Sequence, residues 1–548
     1  MCETDRAARA LPIFQCGLLA NRAARQQTVL RTRMPNILAA NLAPIDWIIL
    51  AVYFALLVAT GIWLSRRQSG TEDYFLAQRR MPAWAVSISV LATSLSAATF
   101  LGAPQDAYDG SLAYLSAAIG TIIAALIVAR FFIPAYYRHN VTTVYELLEV
   151  RFGPAARQAG SWTFMIGRVM ASGARIFIAA HALSFIVFGD LATDHLVLAV
   201  VVTSLAGVVY TVAGGIATVI WTDVVQTCVF LIAILVAAAY LLAQIPAPVS
   251  GVIDALRTAG PNGSSKLTVI DLSADFNRPF TIWTALTGFA LLNLAVLGAD
   301  QDLAQRMLTC RSPVRAGLSV VWSQIIGIPV VLVFMLIGLL LFVRHNLPLV
   351  MGDSIVPPPQ DSREVFLSFI TRDVPPGMAG LLIAGLFAVA LASLDSALNA
   401  MSSTMVNDVY KRLVPGRAER HYLTVARLGV AFWGVVLGAF ACLCIVWQKA
   451  GGDESLLQFA LRVMVFAYTG LVAVYICALF TRRGNSASVL AALATGAAIT
   501  ALLEPVVIQP ILPALEVAFP WRMTIAATGA LVVCCLGNPR STVNRPIR

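Results

Sequence analysis

The sequence predicts an all-α protein that crosses a lipid bilayer about 13 times, and three observations lead to this fold class. Hydrophobic residues make up 59% of the 548 residues and charged residues only 12%, more apolar surface than a soluble chain of this length needs. Apolar runs of about 18 residues or more recur from end to end, and such a run can span a bilayer as a helix. Basic residues gather in alternate loops between these runs, as in multi-pass membrane proteins.

Thirteen apolar stretches are predicted to be membrane-spanning helices. They cover residues 45–66, 83–106, 111–136, 160–189, 192–212, 216–243, 281–300, 316–344, 376–407, 422–447, 455–481, 485–506 and 521–538. The long loops 244–280 and 345–375 contain proline, glycine and serine and are either lids or simple connectors.

The basic residues orient the chain in the membrane. They follow the first, third, seventh, ninth and eleventh spans and close the chain after the thirteenth. Because short loops rich in Lys and Arg stay in the cytoplasm, we expect the N-terminus outside, the C-terminus inside and a location in the cell membrane. The remaining loops are poorer in basic residues or balanced by Asp and Glu.

Three regions divide the chain. Residues 1–43 form an N-terminal extension with six arginines, and its apolar patch at 11–20 is too short to span. These arginines would lie on the wrong side of the membrane, so the extension is either disordered or precedes a true start at Met34. Residues 44–540 form the transmembrane domain, and 541–548 form a cytoplasmic tail.

The composition argues against several classes of function. The formal net charge of +10 lies mostly in loops between spans, so it indicates orientation and no nucleic-acid partner. The nine cysteines include no CxxC pair and fall mostly in apolar runs, which indicates buried hydrophobic residues. Neither a Walker A lysine motif nor HExxH occurs. We therefore predict no enzyme activity, and no obligate protein partner is evident.

The predicted span 376–407 has a cluster of polar residues in its second half. Its apolar first half leads into Ser393, Asp395 and Ser396. A carboxylate facing lipid costs about 2.5–3.5 kcal/mol even on the most lenient scale, so Asp395 should face protein, an ion or a water-filled cavity. The hydroxyls suit a small cation, although serines in such helices more often bond to their own backbone or to neighbouring helices.

The predicted span 83–106 carries hydroxyl residues in the middle of its apolar run. They are Thr93, Ser94, Ser96 and Thr99. Small hydroxyl residues at this depth are typical of a helix that unwinds and turns its carbonyls toward a ligand. Close helix packing through small residues explains the pattern equally well.

Two other predicted spans carry charged residues that are candidates for a functional role. Asp223 lies just inside span 216–243 and is either an N-terminal cap or first-turn acid or a cation or proton ligand near Asp395. Arg168 and Arg175 lie two turns apart on one face of a single span. Because arginine keeps its charge, each pairs with a buried acid or with a substrate carboxylate.

Five motifs give the chain a recognisable resemblance. They are TEDYF (71–75), ATSLSAATFLGAP (92–104), GGIATVIWTDVVQ (214–226), DQDLAQRML (300–308) and SLDSALNAMSSTMVNDVYKR (393–412). In this order, over residues 45–538, they resemble the sodium:solute symporter family. The resemblance implies the LeuT-type fold, with inverted five-helix repeats at about 83–243 and 281–481, a substrate between the broken first helices of the repeats, and Na⁺ as the coupling ion.

The resemblance also implies a main sodium site. Its ligands would be the carbonyls of Ala92, Leu95 and Val389 and the hydroxyl of Ser393. The family usually carries a second hydroxyl where this chain has Ala392, so one ligand is missing. Sodium binding there would join the broken helix to span 376–407.

A second site for an ion is implied near Asp223, Asp395 and Ser396. Asp395 stands where the resemblance places a hydroxyl, and this adds a charge to the site. Two carboxylates held together without a cation tend to bind a proton. Sodium and a proton are therefore competitors at this position.

For the substrate, GAPQDAY (102–108) is more similar to the carriers of organic acids, sialic acid and anions than to the sugar carriers. Arg168 matches a basic position that contacts the carboxylate in sialic-acid carriers. The expected substrate-binding residues are Thr93, Ser94, Ser96, Thr99, Arg168, Phe289 and Asn293. We expect sodium-coupled import of a small organic anion by alternating access; a proton-coupled carrier, a membrane solute sensor and an ion channel are the alternatives.

Overall fold

A computed structural model describes residues 42–65, 70–212, 214–260, 263–450, 455–511 and 516–538. The N-terminal extension, up to residue 41, and the C-terminal tail therefore lie outside the described residues. Within the described ranges the protein is helical and contains no β-strand; a single backbone bridge joins Met81 to Cys310.

The long helices, with the short α3 and α9 that continue broken spans, are numbered in chain order. They are α1 Pro44–Ser65, α2 Ala83–Ser94, α3 Ala97–Asp109, α4 Leu112–Arg138, α5 Pro154–Phe188, α6 Thr193–Thr211, α7 Ile216–Ala243, α8 Ile282–Ala299, α9 Gln301–Leu308, α10 Pro313–Asn346, α11 Met378–Leu413, α12 Glu419–Ala450, α13 Leu456–Phe480, α14 Ser486–Leu502 and α15 Phe519–Leu536. Short helices occur at Thr71–Leu76, Glu146–Phe152, Val249–Leu256, Pro348–Met351, Val365–Ser368 and Pro505–Ile508.

The helices account for the predicted membrane spans. In the described part of the chain, ten helices are long and apolar enough to cross a membrane, and the bent pair α2 and α3 forms one more span. Two shorter apolar helices, α6 and α14, correspond to the remaining two predicted stretches. The prediction of an all-α protein that spans the membrane many times is confirmed.

Two spans are interrupted in the middle. The axes of α2 and α3 meet at 63°, because Leu95 and Ser96 both adopt extended backbone conformations. Of the two interpretations that the hydroxyl-rich stretch allowed, the structure shows the broken helix. A second interruption lies at Asp300, whose extended backbone separates α8 from α9.

Helix α11 lies at the centre of the bundle. In its most apolar 18-residue window 89% of the residues are buried, compared with 28% in α1. Helices α7 and α11 pack closely; a Cβ placed on Gly385 of α11 would lie 2.7 Å from the Cβ of Ala233 in α7. Small residues permit this approach of two backbones in a membrane. The polar residues of α11 therefore face other helices rather than lipid.

The loop 244–280 is anchored to the end of α3. Lys266, 2% exposed, donates hydrogen bonds from Nζ to the carbonyls of Tyr108 (2.7 Å) and Gly110 (2.9 Å). Burial lowers the pKa of Lys266 to about 8. Its ammonium also lies 3.9 Å from the ring centroid of Phe342, so this loop packs against both α3 and α10.

Ion pairs join the helices on the face that carries the basic loops. Arg157 of α5 contacts Asp408 of α11 (2.5 Å), Glu149 (2.8 Å) and Glu146 (3.2 Å). The Asp408 carboxylate also accepts hydrogen bonds from Thr143 and Ser161, each at 2.7 Å. These contacts hold the predicted cytoplasmic ends of α5 and α11 together.

Candidate substrate and ion site

A cavity lies between the two interrupted spans. Its empty volume is about 780 Å³, part of it continuous with solvent, and α2, α3, α4, α5, α8 and α13 supply residues to its walls. Every residue predicted to bind substrate lines this cavity: Thr93, Ser94, Ser96, Thr99, Arg168, Phe289 and Asn293. The walls combine hydroxyls, an amide and arginines with apolar side chains, which is the kind of lining that ligand pockets have.

At the first interruption, the backbone presents carbonyl oxygens without donors. Helix α2 ends where the Leu95 amide donates to Leu91 (3.1 Å), and α3 begins where the Ser96 carbonyl accepts from Thr99 (2.9 Å). Between these bonds, the carbonyls of Ala92 and Leu95 accept no hydrogen bond from any residue that the structure describes. Unpaired carbonyls at a buried helix end need water, an ion or a ligand.

Helix α11 packs against α2 and α3 and contributes two further predicted sodium ligands. Val389 is fully buried and Ser393 is 2% exposed. The Ser393 hydroxyl donates to the carbonyl of Ala390 at 2.9 Å, which leaves its oxygen lone pairs available to a cation. Ala392 is fully buried beside it and offers no side-chain oxygen.

At the second interruption, the protein satisfies its own polar groups. The last carbonyls of α8, on Gly298 and Ala299, accept hydrogen bonds from the hydroxyls of Tyr136 (2.5 Å) and Tyr145 (3.1 Å). Asp300 caps α9 by accepting from the amide of Asp302 at 2.8 Å. The backbone groups that a broken helix leaves without partners are thus hydrogen-bonded to side chains of the protein.

Arg168 pairs with two acids from this interruption. Its Nη1 lies 3.4 Å from Asp300 Oδ2, and its Nη2 contacts Asp302 Oδ2. Tyr468 also donates to the Asp300 carboxylate. All of these side chains are at least 98% buried. Of the two interpretations that the sequence allowed for Arg168, the structure shows the ion pair with buried acids.

Arg306 of α9 extends the network toward α7. It contacts Asp302 Oδ1 (2.8 Å) and Asp223 Oδ2 (3.3 Å), and its Nε donates to Ser89 at 2.8 Å. The Ser89 hydroxyl in turn donates to Asp223 at 2.5 Å. Asp223 lies in the third turn of α7, whose N-cap is Gly215, so the interpretation of Asp223 as a helix cap or first-turn acid is wrong.

The remaining residues of the predicted second ion site lie on α11. Asp395 is fully buried and Ser396 is 1% exposed. The Ser396 hydroxyl donates to the carbonyl of Ser393 (3.1 Å) and lies 3.4 Å from Asp302 Oδ2. Ser396 therefore joins the same polar network as Asp223, through Asp302 and Arg306.

Sequence reasoning missed the roles of Asp300, Asp302 and Arg306. All three lie in the quoted motif DQDLAQRML, where Asp302 and Arg306 are four residues apart and so face each other on one helix. That spacing was a usable signal for an ion pair. Their pairing with Arg168 and Asp223 was not visible, because it depends on how α5, α7 and α9 pack.

The comparisons with known proteins agree with this architecture. The model of the Sodium:solute symporter family matches residues 74–496. The chain is 28% identical over 456 residues to the sodium/sialic acid symporter SiaT of Proteus mirabilis (strain HI4320), covering 81% of this chain and 86% of that protein. It is also 28% identical over 452 residues to the human sodium/iodide cotransporter, covering 81% and 67%.

The fold is similar to that of a solved structure, the substrate-bound outward-open state of a Na⁺-coupled sialic acid symporter. The TM-score is 0.77 at 24% sequence identity, covering 90% of this chain and 97% of that one. The predicted LeuT-type architecture is thereby confirmed.

Proposed function

Because the chain belongs to the sodium:solute symporter family, a family of sodium-coupled transporters rather than enzymes, we propose that it imports a small organic anion together with Na⁺ by alternating access. The observation that carries this proposal is the cavity between the two interrupted spans. It combines four hydroxyl residues of the first interruption with arginine side chains of α5. Hydroxyls and a cationic group together recognise a polar anionic solute.

The first sodium ion would bind at the interruption between α2 and α3. The carbonyls of Ala92, Leu95 and Val389 and the hydroxyl of Ser393 supply oxygen ligands, which small hard cations prefer. The support is that two of these carbonyls lack donors among the described residues. An ion held there joins α2 to α11 and stabilises the outward-open form, so sodium and substrate binding strengthen each other.

The second ion would bind near Asp223, Asp395 and Ser396. Four carboxylates, those of Asp223, Asp300, Asp302 and Asp395, are fully buried in this part of the protein. Two arginines, Arg168 and Arg306, pair with acids of this group. Arg175 of the same cavity is also buried, so these four carboxylates stand against three arginines, and a buried excess of negative charge is relieved by binding a cation or a proton.

The substrate would lie against Phe289 and Leu292, with the hydroxyls of α2 and α3 and the amide of Asn293 as polar partners. Arg168, on the same wall, would orient these groups or contact the anion directly. The relatives named above carry sialic acid and iodide, both of them anions.

The decisive experiment measures uptake into proteoliposomes made with the purified protein. Radiolabelled sialic acid, lactate, iodide and glucose are offered under an inward Na⁺ gradient at constant pH. We expect accumulation of at least one anion, and none when K⁺ or choline replaces Na⁺. Equal accumulation without Na⁺ would contradict the proposal, and accumulation driven by a pH gradient alone would favour the proton-coupled alternative.

A further inference from the structure

Two thiols from different helices are in contact at the C-terminal ends of α13 and α15, on the face that carries the basic loops. Cys477 of α13 is fully buried, and Cys535 of α15 is partly exposed. The Cys535 thiol donates to the Cys477 sulfur, with 3.8 Å between the two Sγ atoms. All cysteines of the described residues are free, so this pair is in its reduced form.

Backbone contacts hold the two thiols near each other. The amide of Gly484, in the loop after α13, donates to the carbonyl of Gly537, just beyond α15, at 2.8 Å. Asn485 Nδ2 donates to the carbonyl of Asn538 at 3.1 Å. Gly484 has a φ of +95°, and a Cβ at this position would lie 3.3 Å from the Cys477 sulfur. The loop therefore closes over Cys477 and keeps the two helix ends, with their sulfurs, within reach of each other.

Cys477 lies in polar surroundings, unlike a cysteine that only fills space. Its sulfur donates to the carbonyl of Arg483 at 3.5 Å and lies 3.3 Å from Thr481 Oγ1. Arg151, only 4% exposed, donates to the carbonyls of Arg483 (3.2 Å) and Thr481 (3.3 Å), and its charge acts on Cys477. A guanidinium beside a thiol stabilises the thiolate, which is the form that attacks an oxidised sulfur.

A third thiol, on Cys534, does not change which pair is favoured. Cys534 is fully buried, so a reagent reaches Cys535 first. Adjacent residues form a disulfide poorly, because their Cα atoms are about 3.8 Å apart and disulfides usually need about 4.4–6.8 Å. Among the described residues, no group of three or more Cys, His, Asp or Glu side chains could hold a metal ion. The cluster therefore favours thiol oxidation between two helices.

We propose that Cys477 and Cys535 form a redox-modification site, in which a peroxide converts the two thiols into a disulfide that joins α13 to α15. The site is separate from the substrate cavity, and its chemistry does not depend on the proposed function.

The reaction proceeds in two balanced steps. A peroxide ROOH transfers one oxygen to the Cys535 sulfur, which becomes a sulfenic acid, and the alcohol ROH (water, for hydrogen peroxide) leaves. The Cys477 thiolate then attacks the sulfenic sulfur; the S–S bond forms, the S–O bond breaks, and hydroxide leaves as water with the Cys477 proton. In total, two thiols and one peroxide give one disulfide, ROH and water. A small thiol reverses the modification by exchange.

The crosslink would restrain a helix of the substrate cavity. Helix α13 lines the cavity through Leu457, Ala460 and Met464, and its Tyr468 donates to Asp300 at the second interruption. Alternating access requires parts of the protein to move around the site. A covalent bond from α13 to α15 should therefore slow uptake until it is reduced.

The experiment compares wild type, Cys477→Ser and Cys535→Ser, with Cys228→Ser as the matched control. Cys228 of α7 is exposed, and no second thiol among the described residues contacts it. Reduced protein in detergent is treated with hydrogen peroxide, free thiols are blocked with N-ethylmaleimide, and peptides are analysed by mass spectrometry. We expect a linked peptide with Cys477 and Cys535 in wild type and Cys228→Ser, sensitive to dithiothreitol and absent from the other two variants. Oxidation of Cys535 without a link, or a link to Cys534, would overturn the proposal.

Melting temperatures give a second readout that needs no substrate. The disulfide joins residues 58 positions apart, and it restricts the unfolded chain. Oxidised wild type should melt several degrees above the reduced protein, whereas Cys535→Ser should melt at the same temperature in both conditions. Equal melting temperatures of oxidised and reduced wild type would contradict a crosslink between the two helices.

Uptake into liposomes separates this inference from the proposed function. Oxidation should lower Na⁺-driven uptake severalfold in wild type, reversibly with dithiothreitol, and leave Cys535→Ser unaffected. A linked peptide with unchanged uptake would overturn the restraint of α13 and leave sodium symport intact. A linked peptide in a protein that shows no Na⁺-driven uptake even when reduced would support the modification site and contradict the proposed transport.

Discussion

The two helix interruptions are alike in position and opposite in chemistry. The first, at Leu95 and Ser96, leaves backbone carbonyls without donors among the described residues. The second, at Asp300, has its carbonyls capped by tyrosine hydroxyls and its acids paired with arginines. An interruption that the protein completes by itself gives a rigid support, whereas one left incomplete gives a place where ligands complete the structure.

This comparison assigns different consequences to mutations in the two regions. A change at the second interruption should reduce stability, because it breaks contacts that the protein makes without a ligand. A change at the first should alter sodium dependence and leave stability nearly unchanged. The predictions below test that division, beginning with the largest effect.

Asp302→Asn should be the most damaging of these substitutions. Asp302 contacts both Arg168 and Arg306 in a fully buried setting, and breaking a buried ion pair costs about 3–5 kcal/mol. We expect the free energy of unfolding to fall by about this amount, measured by denaturation in detergent. Asp254→Asn is the control, because its pair with Arg257 is about two-thirds exposed (68% and 65%) and should be worth about 0–1 kcal/mol. Equal stability of the two variants would show that the second interruption is not held by its ion pairs.

Asp395→Asn should change the ion coupling. It removes one buried charge of the predicted second ion site, and each coupled charge contributes about 2.3 kcal/mol per 100 mV of membrane potential. We expect the ratio of charge moved to substrate moved to fall by one, measured from currents and tracer uptake in the same liposomes. The ratio should be unchanged in Asp254→Asn. An unchanged ratio and unchanged pH dependence in Asp395→Asn would return this residue to a structural role.

Ser393→Ala should weaken sodium binding at the first interruption. Losing one oxygen ligand should raise the Na⁺ concentration for half-maximal uptake about tenfold. Ser319→Ala is a matched control, because Ser319 is also buried and donates to a carbonyl three residues earlier, at 2.8 Å. Identical sodium dependence in the two variants would remove Ser393 from the site.

Ala392→Ser should have the smallest effect of these substitutions, and it should strengthen Na⁺ binding rather than weaken it. It supplies the hydroxyl that the family usually carries at this position, so the Na⁺ concentration for half-maximal uptake should fall by about two- to tenfold. Ala388→Ser adds a hydroxyl one turn earlier on α11, at another fully buried alanine, and should give no gain. If both serines act alike, Ala392 does not adjoin the ion.

Much of the architecture could be predicted from the sequence because it depends on local composition. The length of each apolar run predicts a spanning helix, since a bilayer requires an apolar segment of fixed length. The hydroxyl cluster from Thr93 to Thr99 predicted the broken helix at Leu95, although close packing explained it equally well beforehand. The five motifs identified the family. The structure places all seven expected substrate residues around one cavity, and their binding of substrate stays a prediction.

The partners of the charged residues could not be predicted in the same way. Helix geometry places Arg168 and Arg175 on one face of α5 and does not distinguish them. In the structure, Arg168 contacts two acids, whereas Arg175 has no acid within ion-pair distance among the described residues. Asp223 was equally ambiguous, because its place near a helix start favoured a cap. In both cases the outcome depends on which side chains of other helices lie opposite.

The sequence by itself therefore determined the class of protein, its many membrane-spanning helices and the family, and it indicated the first interruption. Each of these follows from residues adjacent in the chain or from motifs in order. Only the tertiary structure decided which arginine contacts buried acids and which interruption remains open to ligands. The physical reason is that ion pairs act over a few ångströms, and the distances between α5, α7, α9 and α11 are set by packing.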